Sequence, residues 1–212
     1  DTTPPAARVR AAHLPQWSRL PLAIAAGGIF ALGQAPYDLW MLAFPGLVAV
    51  FALIRILPHG WNGAGWAFCL GYFGLGLGWI VEPFQVDAAT TGWMAPFALV
   101  GMSGGLALFW AVAFGVSRWA SGRVWPLIFF LSAAEILRGY LFTGFPWGMF
   151  SQSLVDVWPG QGLAVVGPYG MTLVFVAAAA VFTRPAAAAF TNRFAVWAVR
   201  LLVLVALVVP FG

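Results

Sequence analysis

Glu135 and Arg138 are the residues of this chain whose types and spacing most invite chemistry. They sit inside the apolar run FFLSAAEILRGYLF, three positions apart, so on a helix both fall on one face and can pair. Either charge alone at the centre of a membrane helix costs roughly 2.5–3.5 kcal/mol on insertion scales. Two readings follow: an ion pair that locks this helix to its neighbours, or a polar group that faces a lipid-accessible cavity. Directly afterwards comes Thr143-Gly144-Phe145-Pro146-Trp147. Gly144 and Pro146 argue against a continuing helix, yet Phe145, Trp147, Met149, Phe150, Leu154, Val155 and Trp158 keep presenting large apolar groups that are costly in water. This segment is expected to lie in an interface or to fold back into the protein, as the rim of a lipid entrance or as a simple anchor.

Other chemistries find no residues. A retinal Schiff base needs a lysine, and all ten basic residues are arginines. A bis-histidine haem needs two facing histidines, whereas His13 and His59 both fall near the same ends of their apolar segments. No metal cluster, phosphate loop or Ser-His-Asp arrangement is apparent, so no cofactor and no metal are expected. Cys69, the single cysteine, lies in an apolar block and reads as a small buried hydrophobe. Proton-coupled transport calls for several intramembrane acids and is often built on inverted repeats; Glu135 alone qualifies, and no repeat is seen.

The elements that must position these residues follow from composition. Of 212 residues, 62% are hydrophobic and 8% charged, against about 25% charged in a soluble domain. In lipid the backbone must pair internally, which leaves helices or closed barrels. Long unbroken apolar blocks, without strand-like alternation, select helices. Spans of about 20 residues are expected at 20–32 (extending back towards Leu14), 40–57, 64–81, 93–116, 124–142, 162–182 and 194–211. The fold class is therefore an all-α integral membrane bundle of about seven transmembrane helices. It forms a single domain, 1–212, with a short N-terminal segment at 1–19, the bundle at 20–211 and a long apolar loop at 143–161. The N-terminal arginines and first apolar run read as an anchored helix rather than a cleaved signal.

The scattered arginines read as topology rather than as a nucleic-acid surface. With the N-terminus in the cytoplasm, Arg8, Arg10, Arg19, Arg55, Arg118, Arg123, Arg184 and Arg193 all fall inside, and Arg200 near the inner side. The outer loops 33–39, 82–92 and 143–161 carry no arginine and hold Asp38, Glu82, Asp87 and Asp156. Seven spans then put the C-terminus outside. Tryptophans sort to the same two levels: Trp17, Trp61, Trp66, Trp119 and Trp125 inside, and Trp40, Trp79, Trp93, Trp147 and Trp158 outside. Gly74-x-x-x-Gly78 and Gly101-x-x-x-Gly105 are expected to form small-residue helix seams.

With these residues in view, the chain resembles the membrane-embedded half of bacterial apolipoprotein N-acyltransferase. Glu135-x-x-Arg138-Gly139 followed by Thr143-Gly144-Phe145-Pro146-Trp147 is similar to that family's E-x-x-R-G-x-x-x-T-G-F-P-W signature. Ala35-Pro36-Tyr37-Asp38 resembles its S-P-Y-D turn, Gly71-Tyr72-Phe73-Gly74 through Gly78-Trp79 its glycine-rich third helix, and Gly167-Pro168-Tyr169-Gly170 a later turn. The resemblance implies transfer of a phospholipid acyl chain to the N-terminal diacylglyceryl-cysteine of lipoproteins, at the periplasmic face of the bacterial inner membrane. It also implies a nitrilase-like domain with a Glu-Lys-Cys triad after the seventh helix. Here the sequence stops at Gly212, lacks lysine and holds its cysteine in the third apolar block, so no residue is assigned as catalytic and this chain alone is expected to be inactive. The expected role is a lipid-admitting scaffold, with Glu135, Arg138, Tyr37, Asp38, Thr143, Gly144, Phe145, Pro146 and Trp147 as cavity residues. Its expected partners are membrane phospholipids, lipoprotein substrate or other membrane subunits, and not nucleic acid. The alternative is a catalytically inactive relative serving as a structural or assembly subunit of a membrane complex.

Overall fold

The computed structural model describes residues 16–57 and 59–183, and among these there are helices and turns but no strands. The α-helices are α1 (Gln16–Ala31), α2 (Ala43–Ile56), α3 (Trp61–Gly76), the single turn α4 (Ala88–Thr91), α5 (Ala95–Ser121), α6 (Leu127–Tyr140) and α7 (Gly162–Phe182). Their ends follow local chemistry. Gly60 at φ 81° opens α3, Gly122 at φ 62° closes α5, and Pro126 sits directly before α6. Gly167, at φ 70° and ψ 175°, and Pro168 interrupt α7 within its first two turns.

The helices pack as a closed ring, in which α1 touches α2, α2 touches α7, α7 touches α6, α6 touches α5, α5 touches α3, and α3 returns to α1. Aromatic side chains fill the middle. Phe30 of α1 meets Tyr72 of α3 edge-on at 4.9 Å, and Phe68 stacks on Trp110 of α5 at 5.4 Å. Phe150, from the segment after α6, enters this cluster and meets Trp110 at 4.5 Å and Phe30 at 4.8 Å. Cys69 is buried in α3. Outward faces are apolar as well: Phe97, Leu108, Val112, Phe129 and Val165 are all exposed. An exposed apolar surface of that extent suits lipid rather than water.

Two continuous helical stretches, Ala88–Ser121 and Trp158–Phe182, are long and apolar enough to cross a membrane. A third is reached if α3 and the 3-10 helix Gly78–Gln85, bent from it by 47°, count as one span. The expected helix at 64–81 is therefore broken after Gly76. The expected helix at 124–142 stops at Tyr140, because Phe142 turns into the left-handed region at φ 50°. α1 and α2 are shorter apolar helices. The expected span at 194–211 lies outside the described residues, as do Arg8, Arg10, Arg184, Arg193 and Arg200.

The glycine seams need correction. A β-carbon on Gly74, Gly78, Gly101 or Gly105 would meet nothing within 4 Å, so neither G-x-x-x-G pair lies in a close helix contact. Close approach occurs instead between α1 and α3. A β-carbon on Gly27 would strike the Phe68 carbonyl, and one on Gly71 would strike the Ile24 carbonyl. The contact is reciprocal, with Ile24-x-x-Gly27 facing Phe68-x-x-Gly71, and it lets two backbones touch without side chains between them.

A buried charge pair behind an acidic cavity

α6 places Glu135 and Arg138 one turn apart on its inner face, where both side chains are wholly buried. Arg138 Nη2 lies 2.6 Å from Glu135 Oε2, and Nε donates to Oε1 at 3.1 Å. Trp110 Nε1 of α5 also donates to Oε1, at 2.8 Å. The remaining guanidinium hydrogens turn to the backbone of the next segment. Nη1 donates to the carbonyls of Phe145 at 2.7 Å and Trp147 at 2.6 Å, and Nη2 donates to that of Gly148 at 3.2 Å. All five guanidinium donors thus have an acceptor. The Phe73 ring, 5.1 Å from Cζ, covers one face of the guanidinium. Two charges in an apolar bundle are tolerated only when paired and fully hydrogen-bonded, and this pair meets both conditions.

The segment after α6 folds back to reach Arg138. Phe145 N donates to the Arg138 carbonyl at 2.9 Å, closing the turn. Gly144, at φ 83°, makes that reversal possible, since a β-carbon there would strike the Gly139 carbonyl. Gly139 lies beneath the Tyr169 hydroxyl of α7, where a side chain would displace the tyrosine. The glycines around the arginine are therefore set by close approach. Beyond the turn, Met149, Phe150 and Leu154 are buried, while Trp147 and Val155 stay exposed. The segment both enters the core and presents apolar groups at the surface.

The same segment meets the turn between α1 and α2. Gln34, itself buried, donates from Nε2 to the Met149 carbonyl at 3.0 Å, across 115 residues of sequence. Its own carbonyl accepts from Tyr37 N and Asp38 N, and Asp38 takes φ 54°, a region that aspartate tolerates. Between these two segments and the end of α3 opens a cavity of about 440 Å³. Asp38, Asp156, Trp79, Trp147, Gln34 and Gln152 stand around it, and Tyr72, Phe73 and Gly148 form its deeper wall.

Of the residues expected at a cavity, Asp38 and Trp147 line this one. Glu135 and Arg138 do not; they lie behind its wall, where Arg138 donates to the Trp147 and Gly148 carbonyls and Glu135 holds Arg138. Phe145 and Gly144 belong to the supporting turn, Pro146 accepts a long hydrogen bond from Gln152 at 3.5 Å, and Tyr37 is exposed beside Asp38. Thr143 closes the short 3-10 turn after α6. Trp110, Gln34, Tyr72 and Phe73 were not picked out for the site. Trp110 carries a signal, as a tryptophan that fits neither interfacial level, and Tyr72 and Phe73 stand in the Gly71–Gly74 stretch that resembles the family's third helix; nothing in the sequence marks Gln34.

A second opening, of about 380 Å³, lies between α5 and α6 and is almost purely apolar, running past Leu108 and Val112 to Leu141 and Phe142. At the opposite end of the bundle from Asp38, Arg118 lies 6.0 Å from the Trp61 ring, and Arg55 reaches the Ala180 carbonyl at 3.5 Å. The described arginines other than Arg138 thus gather away from the acidic cavity.

Among the described residues these features define an all-helical unit with apolar outer faces and a polar cavity walled by a clamped loop. The chain belongs to the family described as apolipoprotein N-acyltransferase N-terminal domain, which matches residues 26–181. It is 39% identical over 178 residues to the apolipoprotein N-acyltransferase of Caulobacter vibrioides, covering 77% of this chain and 32% of that protein. It is 37% identical to the proteins of the same name from Rhodopseudomonas palustris and Brucella suis, covering 80% and 77% of this chain and 33% and 34% of theirs. The chain thus spans about a third of the length of the curated relatives it matches.

Proposed function

We propose that this chain is the membrane-embedded domain that admits lipid to an acyl-transfer reaction, in which a phospholipid acyl chain passes to the N-terminal amine of a lipoprotein. The reacting groups belong to a catalytic domain outside this chain; the chain supplies the lipid-facing bundle and the polar cavity. The observation that carries the reading is the cavity itself, open between Asp38 and Trp147, with its wall fixed by a buried arginine rather than by loose loop packing.

The test joins this chain to the remainder of the Caulobacter vibrioides relative and assays lipoprotein N-acylation. Gly76 lines the cavity and has open space where a side chain would stand, so Gly76→Trp fills the cavity. Acylation is expected to fall by about tenfold or more with unchanged thermal unfolding. Undiminished acylation by the filled variant refutes the cavity's role. A parent chimera that folds yet never acylates favours the alternative, an inactive structural or assembly subunit.

The proposed setting is the bacterial inner membrane, with about seven spans, the N-terminus cytoplasmic and the C-terminus periplasmic. The reading rests on the separation of arginines from acids at opposite bundle ends. With Cys69 replaced, Ala88→Cys and Val155→Cys should react with an impermeant thiol reagent in intact spheroplasts, and Ala120→Cys should not. Labelling of Ala120→Cys alone reverses the orientation. Val155 is exposed, whereas Gly160, in the same loop, has no room for a cysteine because a β-carbon would strike the Leu154 carbonyl.

A further inference from the structure

The apolar opening between α5 and α6 lies on the outside of the ring, since Leu108, Val112 and Leu137 in its lining are exposed. It is a groove between two consecutive antiparallel helices, joined by the short turn 122–126. Small residues keep it open: Gly105 and Ala113 on α5 face Ala133 and Ala134 on α6. A β-carbon on Gly105 would meet nothing within 4 Å. The lining runs from Gly105 to Val116 along α5, about 17 Å at the usual helical rise. That is close to the depth of one leaflet, half of a hydrocarbon core of about 30 Å. Its 380 Å³ spread over that length leaves a channel only about 5 Å across. A helix, about 10–12 Å in diameter, cannot enter such a channel, whereas a single extended hydrocarbon chain fits.

The groove ends at the turn that joins its two walls, and there the chemistry changes. Arg123 stands in this turn and is exposed. The Arg118 guanidinium reaches the same turn, because a β-carbon on Gly122 would stand 2.7 Å from its Nη1. Among the described residues no carboxylate stands at this end of the bundle. Asp38 and Asp156 line the cavity at the other end, and Glu135 is buried against Arg138. Trp119 and Trp125, both exposed, flank the turn at the level where indoles meet headgroups. Arginines and tryptophans at helix ends alone are ordinary membrane anchors. Here they stand at the foot of a groove one chain wide and one leaflet deep.

We infer that the α5–α6 hairpin holds one anionic phospholipid of the leaflet on the turn's side, with an acyl chain in the groove and the phosphate on Arg123 and Arg118. Basic residues at the foot of transmembrane helices attract anionic headgroups, and the groove fixes which lipid molecule stays. A zwitterionic lipid fills the groove equally well but brings a cation against the arginines. The inference goes beyond the lipid-admission reading. It concerns the outer face at the end opposite the acidic cavity, and a lipid that stays on the hairpin as a structural ligand.

The experiment titrates the full 212-residue chain in detergent with phosphatidylglycerol and phosphatidylcholine of identical acyl chains, and reads binding by native mass spectrometry. The anionic lipid is expected to be preferred by about tenfold. In Arg118→Gln/Arg123→Gln the preference should shrink to less than about twofold, while Arg118→Lys/Arg123→Lys should keep most of it. A second arm uses phosphatidylglycerol with a diazirine in its acyl chain and maps the photo-crosslinks by mass spectrometry. Crosslinks should concentrate on 105–116 and 130–142, and should fall several-fold in Gly105→Phe, which fills the groove from its open floor. Thermal unfolding checks each variant, and the crosslink pattern of the unaltered chain decides even where a variant fails to fold. Crosslinks spread evenly around the bundle overturn the inference and leave only a solvating lipid layer. A preference that survives the double glutamine change removes the arginines from it. Both lipids are also titrated against Gly76→Trp, in which the acidic cavity is filled. A preference lost there assigns the lipid to that cavity and overturns the hairpin site; a preference kept there supports it.

Discussion

Arg138→Ala should lower the stability of the detergent-solubilised protein by about 3–5 kcal/mol, the usual cost of stripping one partner from a buried pair. Two groups are left stranded. Glu135 keeps only the Trp110 indole on its carboxylate, and the carbonyls of Phe145, Trp147 and Gly148 lose their donor. The companion variant, Glu135→Gln with Arg138→Met, removes both charges while retaining side-chain volume. It should recover the part of the loss that came from an unpaired carboxylate. It should not restore the loop, because methionine has no donor for the three carbonyls. Thermal unfolding reads the first effect. Hydrogen exchange or limited proteolysis across 145–148 reads the second, and in the chimera lipoprotein acylation reports whether the loop's path matters. A double variant with native stability, a protected loop and full acylation would reduce the pair to a dispensable brace.

A comparable loss is expected at the seam of α1 and α3. Gly71→Ala forces a methyl group against the Ile24 carbonyl, where the obstacle is backbone and cannot swing aside as a side chain would. The helices must part, loosening Phe30 against Tyr72 and Phe68 at the centre of the ring. Overpacking of a tight core costs typically about 1–3 kcal/mol, and a backbone-to-backbone contact should sit at or above the top of that range. Gly27→Ala, against the Phe68 carbonyl, should behave alike. The controls are Gly74→Ala and Gly101→Ala, both on helices with open space at the β-carbon. Those two are expected to be neutral or to raise stability slightly, since alanine favours helix over glycine by up to about 1 kcal/mol. Unfolding midpoints of the four variants in one detergent decide the matter; equal effects at all four positions would remove the seam from the account.

The sequence made some of this plain and hid the rest for physical reasons. The pairing of Glu135 with Arg138 was legible because a helix fixes residues i and i+3 on one face, and because unpaired charge in an apolar run is too costly to leave alone. That no helix continues through Gly144 and Pro146 was legible from backbone chemistry, whereas the earlier stop at Tyr140, set by the left-handed Phe142, was not. What Arg138 does with its other donors was not, since the loop carbonyls it reaches carry no side-chain signature. Glycine spacing misled for a related cause. A G-x-x-x-G pair marks one face of one helix, but the seam that formed uses single glycines on two helices, set by which faces meet. The cavity brings Asp38 beside Trp147 and Asp156, and nothing local in a chain announces a contact made across more than a hundred residues. The bend after Gly76 belongs to the same class: glycines permit it, while packing against the ring decides it.

Arg138 holds the loop by its main-chain oxygens alone, and this separates the loop's course from its composition. Every residue type offers the same carbonyl, so the clamp places no demand on the exposed side chain of Trp147. A tryptophan at this point of the stretch that resembles the family's signature is therefore to be explained by what its indole meets in the cavity, and not by the architecture that shapes the wall. The arginine and the turn glycines set where the wall runs, and the side chains standing on it are left to meet the occupant.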